Sequence, residues 1–256
     1  MIPMQSVCLS LLSAKTEVHE MGRSSHMKRL AMPRSWPLPR KTSVWVQRPD
    51  PCGHPIDRCM PIGIVLRDIL GVAGTRREVS QILNKNVVEV DGRVVTSTGR
   101  GVGLLDILTV GDQNYMCILD NRGRLAYNPI SKKSAGIKFC RLNGKTTIKG
   151  GKTQLSFHDG RTVIVDDASK ETWATGSTCV IDLASGKIKD TLKAEAGASC
   201  YLIGGNHVGE VSTLKEIETK RSSMPNEITF EEGYGTIEDY VMVIPSADSL
   251  PLEVAE

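Results

Sequence analysis

Six prolines stand between Pro33 and Pro55: Pro33, Pro37, Pro39, Pro49, Pro51 and Pro55. Proline fixes φ, lacks an amide donor and pushes the residue before it out of the helical region. This stretch therefore cannot form a long helix, and it runs extended. It is also basic. "HMKRLAMPRSWPLPRKTSVW", from His26 to Trp45, carries five cations (Lys28, Arg29, Arg34, Arg40, Lys41), two tryptophans and no acid. Residues 21–60 hold eight Lys/Arg against two Asp, whereas residues 225–256 hold eight Asp/Glu and no Lys or Arg. The chain reads as a basic arm, residues 21–60, followed by folded modules and an acidic tail, residues 245–256. An extended arm needs another surface to order it, and a basic one selects an anionic surface. Its removal is expected to leave the modules folded.

The rest of the chain is long enough to bury cores, at 256 residues with 40% hydrophobic content. Aromatics make up only 4%, so those cores are expected to be Val, Ile and Leu. The seven cysteines (Cys8, Cys52, Cys59, Cys117, Cys140, Cys179, Cys200) are odd in number, scattered and without a CxxC pair. Reduced, buried thiols in a cytoplasmic protein fit that pattern. No apolar run is long enough to span a bilayer, which argues against a membrane partner. The opening "MIPMQSVCLSLLSAK" has no cation ahead of its apolar core, so it is not read as a signal peptide. Residues 1–20 read as a non-native or disordered extension, with Met21 a plausible start.

Residues 61–112 predict a helix–helix–hairpin unit. Ile64, Val65, Leu66, Ile69 and Leu70 share one helical face, with Gly71 or Gly74 as its end. Thr75 caps a second helix in a capping box with Glu78, and Val79, Ile82 and Leu83 face inward. "VVEV", Asp91-Gly92 and "RVV" predict a hairpin. Arg76 and Arg77 open the second helix, where free amides also favour phosphate, and Lys85, Arg93 and Arg100 are placed on the same rim. Residues 113–192 are β-rich, with turns expected at Asn143-Gly144, Gly150-Gly151, Asp159-Gly160 and Ser185-Gly186. Residues 193–244 add a strand, a tight loop "GGNHVG", a return strand and further short strands.

Motifs for catalysis or cofactor binding fail on spacing. Gly144-Lys145-Thr146 and Gly151-Lys152-Thr153 lack the upstream glycine of a phosphate-binding loop and read as hairpin lysines. "GRGVGLLD", Gly99 to Asp106, is glycine-rich without the dinucleotide fingerprint. Asp166 and Asp167 sit next to each other at a strand end, on opposite faces. Cys52, His54 and Cys59, even with His26, lack the second ligand pair of a zinc site. His207 has no nucleophile or orienting acid beside it in sequence. No catalytic residue, metal, cofactor or small-molecule substrate is expected. Trp36 and Trp45, by contrast, are suited to stacking on bases while the arm cations bridge phosphates.

Four segments in order, "HMKRLAMPRSWPLPRK", "MPIGIVLRDILGVAGTRREVSQILNKNVVEVDGRVV", "GVGLLDILTV" and "YLIGGNHVGEV", resemble the small-subunit ribosomal protein S-four-e family of archaea and eukaryotes. The arm is closer to the archaeal branch. The resemblance covers residues 21–244 and implies a multidomain α+β protein. Residues 61–112 would be a small α/β RNA-binding module of the S-four type. Residues 113–192 would be a β-rich central domain. Residues 193–244 would hold a KOW motif in an SH3-like β-barrel, with C-terminal strands. The implied role is a structural constituent of the small ribosomal subunit, in the cytoplasm, with ribosomal RNA and neighbouring ribosomal proteins as partners. Lys28, Arg29, Arg34, Trp36, Arg40, Lys41, Arg76, Arg77, Lys85, Arg93, Asn206 and His207 are the expected RNA-facing residues. Two other readings are an RNA-modifying enzyme, which needs a catalytic Asp domain, and a free KOW-containing translation or transcription factor.

Overall fold

The arm folds back as a hairpin. Strand β1 (His26–Lys28) pairs antiparallel with β2 (Trp45–Gln47), with Met27 opposite Val46. The computed structural model describes residues 26–132, 134–166, 173–222, 224–246 and 250–251. The expected extension, residues 1–20, and most of the acidic tail lie outside the described residues. Between β1 and β2 the proline-rich backbone forms a single short 3-10 helix, Arg29–Ala31, and otherwise turns at residues 34–35 and 40–41. Yet the arm does not wait for a foreign surface. Met27, Met32 and Trp36 are buried in the main core, in one cluster with the helices and the sheet that follow. These apolar side chains, spaced along a cationic stretch, give the arm an inner face, so it orders against its own protein.

Strand β3 (Cys59–Pro61) leads into α1 (Ile62–Ile64), which widens into a π-helical stretch, Val65–Ile69. Leu70 N donates to Val65 O at 2.9 Å, the five-residue step of that wider turn. Ile64, Val65 and Leu66 are all buried, although three consecutive residues cover more than half of a helix circumference. The helix is therefore packed on more than one side. α2 (Arg76–Asn84) begins as expected: Thr75 Oγ1 accepts from Glu78 N at 3.3 Å. The Glu78 carboxylate reaches one residue further back, to Gly74 N at 2.8 Å.

Next come β4 (Val88–Val90), β5 (Arg93–Val94), β6 (Gly101–Gly103), β7 (Ile107–Val110), β8 (Gln113–Leu119) and β9 (Leu125–Ile130). β3 pairs with β6, while β5-β4-β7-β8-β9 form one antiparallel sheet of five strands. That sheet runs unbroken through the turn at Gly111-Asp112. A second sheet of five orders as β12-β11-β10-β13-β14, from β10 (Ile137–Thr147), β11 (Thr153–Phe157), β12 (Thr162–Val165), β13 (Thr178–Asp182) and β14 (Ile188–Leu192). Asn143-Gly144, expected as a turn, is instead a bulge inside β10, where the register slips between Leu142 and Gly144. The bulge lets one long strand serve two neighbours. Residues 137–141 pair with β13 and residues 142–147 with β11.

A third sheet of five orders as β18-β17-β16-β15-β19, from β15 (Ser199–Leu202), β16 (Val211–Glu218), β17 (Glu227–Phe230), β18 (Gly235–Ile237) and β19 (Val241–Val243). Its alternation is a clean period of two. Cys200, Leu202, Val241 and Val243 enter the sheet's own core, whereas Tyr201, Ile203, Met242 and Ile244 join the main core. Tyr201 fixes the joint: its hydroxyl accepts from Leu119 N at 2.8 Å and donates to Leu119 O at 3.0 Å. The molecule is thus strand-rich, with few helical turns, and none of its described helices is long and apolar enough to cross a membrane.

Candidate nucleic-acid interface

The arm presents its cations on the side away from the core. Lys28 Nζ lies 3.8 Å over the ring of Trp45, which is 54% exposed. Arg29 donates to Pro39 O at 2.6 Å and Ser43 Oγ at 3.1 Å, and Arg40 Nη1 to Leu30 O at 3.1 Å. These two arginines hold the shape of the loop through uncharged carbonyl and hydroxyl acceptors, so their charges stay unneutralised. Arg40 Nη2 is buried and has no hydrogen-bond partner among the described residues. Arg34 and Lys41 are exposed. Trp36 is a correction. Its side chain is 2% exposed and its Nε1 donates to Cys59 O at 2.8 Å, so it belongs to the core and cannot stack on a base. Its spacing from Met27 and Met32 set it on the inner face; Trp45 keeps the outward position.

Two grooves gather the outward cations. In one, of about 660 Å³, Arg34 and Arg40 face Arg122 and Arg124 of the β8–β9 turn, with Pro37 and Leu38 as the floor. Leu125 N donates to Ser35 O at 2.7 Å and fixes arm and turn together. In the other, of about 650 Å³, Arg29, Trp45 and Arg48 meet Arg67 and Arg76. Arg67 is partly neutralised by Asp68, at 2.7 Å, and Asp50 lies on the same wall. Arg77 is exposed beside Arg76. Lys85 lies at the other end of α2, roughly 14 Å along the axis from Arg76. Arg93 and Arg100 open onto a different cleft, with Arg161. The structure therefore does not bring Lys85, Arg93 and Arg100 onto one rim with Arg76 and Arg77.

Asn206 and His207 occupy the β15–β16 loop. His207 stacks on Tyr234 with ring centroids 4.0 Å apart, and its Nδ1 is 3.0 Å from Glu210 Oε2. Asn206 is exposed. This loop abuts the β8–β9 turn: Gly209 (φ +86°) lies so close that a Cβ there would stand 2.7 Å from the carbonyl carbon of Asp120. On the turn's side, a Cβ on Gly123 would lie 3.3 Å from Val208 Cγ1. Arm, β8–β9 turn and β15–β16 loop are thus consecutive parts of one edge. Arg122 and Arg124 stand outside the cations that the sequence singles out. Their signal is the string Asp120-Asn121-Arg122-Gly123-Arg124, a turn with an arginine on each side of its glycine.

The glycine-rich stretch also has a clear structural use. The segment returning from the arm lies flat along β6, and Asp50, Cys52 and His54 face Gly99, Gly101 and Gly103 in turn. A Cβ at those three glycines would stand 2.5 Å from the Asp50 carboxylate, 2.7 Å from Cys52 Sγ and 2.2 Å from the His54 ring. The alternation by two is that of a strand, with only hydrogen on the receiving face.

Beneath this segment lies a buried charge cluster. Lys138 is 1% exposed, and its Nζ touches Asp91 Oδ2 at 2.7 Å, Asp106 Oδ1 at 2.5 Å and Asp159 Oδ2 at 3.1 Å. Arg161 bridges Asp91 and Asp159, at 2.7 and 3.0 Å, and His54 Nε2 lies 2.9 Å from Asp106 Oδ1. Three carboxylates thus meet Lys138, Arg161 and, when protonated, His54, which balances the charge. Burial alone would lower the Lys138 ammonium, but Asp106, Asp91 and Asp159 raise it well above the usual lysine value. Burial likewise opposes charge on Asp106, and Lys138 and His54 hold it far below the carboxylate range. Burial works against charged His54 too, yet the Asp106 carboxylate raises it on balance. His158, edge-on to His54 at 5.7 Å, is pushed down by burial to about 4. The cluster joins the arm's return, the first sheet and the second.

The lysines of the two Gly-Lys-Thr turns make ordinary local contacts. Lys145 Nζ donates to Trp173 O at 2.9 Å, and Lys152 pairs with Asp166 at 2.8 Å on the surface. Asp167 lies outside the described residues.

Comparison with known proteins completes the picture. The model of "Ribosomal family S4e" matches residues 111–188, and that of the RS4NT domain matches residues 21–57. The small ribosomal subunit protein eS4 of Picrophilus torridus is 37% identical over 232 residues, covering 90% of this chain and 98% of its own. That of Methanothermobacter thermautotrophicus is 38% identical over 237 residues, covering 90% and 96%. The crystal structure of the 30S ribosomal protein S4e from Thermoplasma acidophilum superposes with a TM-score of 0.66 at 30% identity, over 75% of this chain and 97% of that one. With relatives alike over nearly their whole length, and the arm and the central strands each matched separately, the chain belongs to the ribosomal protein S4e family.

Proposed function

We propose that this protein is a structural constituent of the small ribosomal subunit that binds ribosomal RNA and carries out no catalysis. The observation that carries the reading is the continuous edge formed by the arm, the β8–β9 turn and the β15–β16 loop. There the side chains of Arg34, Lys41, Arg122 and Arg124 have no ion-pair or hydrogen-bond partner among the described residues. Unneutralised cations collected from distant parts of the chain are suited to the closely spaced phosphates of a folded RNA. Family membership supports the same assignment. Lys28, Arg29, Arg40, Arg76 and Arg77 extend the edge, with Trp45 as the stacking side chain. Asn206 and His207 close it at the far end, and Lys85 and Arg93 contact RNA from outside the two arm grooves.

In this reading residues 61–112 act as an S-four-type RNA-binding module, residues 113–192 as the central domain and residues 193–244 as an SH3-like KOW barrel. Neighbouring ribosomal proteins cover surfaces away from the cationic edge, in the cytoplasm. Sucrose-gradient fractionation in moderate salt tests the assignment. The protein is expected to sediment with small subunits; residence in the soluble pool, or turnover in a uridine-modification assay, would contradict it.

A further inference from the structure

Cys52 and Cys59 form a thiol pair apart from the cationic edge. Cys52 belongs to the segment lying along β6, Cys59 opens β3, and their sulfurs are 3.7 Å apart. Both rest on Gly101: a Cβ there would stand 2.7 Å from Cys52 Sγ and 3.4 Å from Cys59 Sγ. The bare glycine therefore makes one shelf for two sulfurs. They differ in access. Cys59 is buried, whereas Cys52 is half-buried and lines an open cleft of about 410 Å³ whose rim carries Arg93, Arg100 and Arg161. Moving the sulfurs from contact to bonding distance takes about 1.7 Å.

Cys52 also differs chemically from the other described cysteines, including Cys59, whose thiol is raised by the Cys52 hydrogen bond and by burial. Burial raises the thiols of Cys117, Cys140, Cys179 and Cys200. Cys52 goes the other way, to about 6: its hydrogen bond with Cys59 lowers it most, burial opposes, and the His54 backbone and ring add to the lowering while the Asp106 carboxylate resists it. A thiolate that is reachable, beside a second thiol that is not, is the arrangement of an attacking and a resolving cysteine. Among the described residues no group of three His, Cys, Asp or Glu side chains is placed to hold a metal ion.

We propose that Cys52 and Cys59 are a peroxide-reactive dithiol that closes to a disulfide. The Cys52 thiolate attacks one oxygen of hydrogen peroxide. An S–O bond forms, the O–O bond breaks, and the departing hydroxide takes up a proton as water. The Cys59 sulfur then attacks the Cys52 sulfenic sulfur. The S–S bond forms, the S–O bond breaks, and the leaving hydroxide departs as a second water with the Cys59 proton. The two electrons lost by the sulfurs reduce one peroxide. The product fastens the segment that rides on Gly99, Gly101 and Gly103 to β3, and so fixes the root of the arm.

The full-length protein, reduced and then treated with hydrogen peroxide, tests this directly. Trypsin cuts after Arg58 and leaves the two cysteines on separate peptides. The expected product is those peptides joined by a disulfide, at a rate that is half-maximal near pH 6. Cys117 and Cys140 are expected to react about tenfold more slowly or less. Cys59→Ser is expected to yield over-oxidised Cys52 with no linked pair, and Cys52→Ser to leave Cys59 reduced. Absence of the linked pair in the unsubstituted protein would overturn the proposal. So would oxidation with a midpoint above pH 8, or stoichiometric zinc on the purified protein that blocks the reaction.

Discussion

Lys138 is the single side chain on which most of the interior electrostatics turn. With its ammonium among Asp91, Asp106 and Asp159, it cannot be removed without leaving three carboxylates to Arg161 and His54. Lys138→Met, close in volume, is expected to lower unfolding free energy by about 3–5 kcal/mol, measured as a shifted urea midpoint. His54 carries a pH signature. Its folded value is raised above 6.5, so its contribution is complete below that pH and fades as pH rises through the raised value. His54→Gln should therefore cost more stability at pH 6 than at pH 9. An equal cost at both, in denaturation curves, would contradict the pairing with Asp106. His158 runs the opposite way: its contribution is present above 6.5 and is lost as pH falls through about 4. None of this cluster was legible in the sequence, because its members come from five separate stretches and each resembles an ordinary turn or strand charge. Trp36 was misplaced for a related reason. A tryptophan in a cationic segment looks like a stacking residue until the surface that covers it is known.

At the scale of elements, what could be read were local devices. Thr75 and Glu78 cap α2, Asp91-Gly92 turns the β4–β5 hairpin, and period-two alternation divides the faces of the third sheet. Each depends on residues within a few positions of one another. What could not be read depended on a distant partner. Asn143-Gly144 carries the composition of a turn, but β10 needs a bulge there to pair with both β11 and β13. "GRGVG" shows small side chains without showing why; the reason is the arm's return segment lying against it. Gly103→Ala would place a methyl 2.2 Å from the His54 ring, so the segment must lift. The expected cost is about 1–3 kcal/mol, with faster proteolysis in the arm. Unchanged stability and unchanged cleavage would show that the segment does not hold this position. The arm is also less separable than its composition suggests. Deleting residues 21–47 strips Met27, Met32 and Trp36 from the main core, so the truncated protein loses stability as well as cations.

For the whole molecule, the fold serves to assemble charge. The chain's net charge of +3 is too small to explain affinity for a polyanion. The arm and the β8–β9 turn concentrate cations on one edge while the acids Asp91, Asp106 and Asp159 are consumed internally. The most direct test is the salt dependence of binding to small-subunit ribosomal RNA. If the five arm cations with Arg122 and Arg124 each neutralise a phosphate, log K against log salt should fall with a slope of about −5, at roughly 0.7 per contact. Substituting Arg122 and Arg124 together by Ala should reduce that slope to about −3.5 without changing the unfolding midpoint. A protein that binds this RNA with a slope near zero, or whose slope is untouched by losing both arginines, would contradict the account.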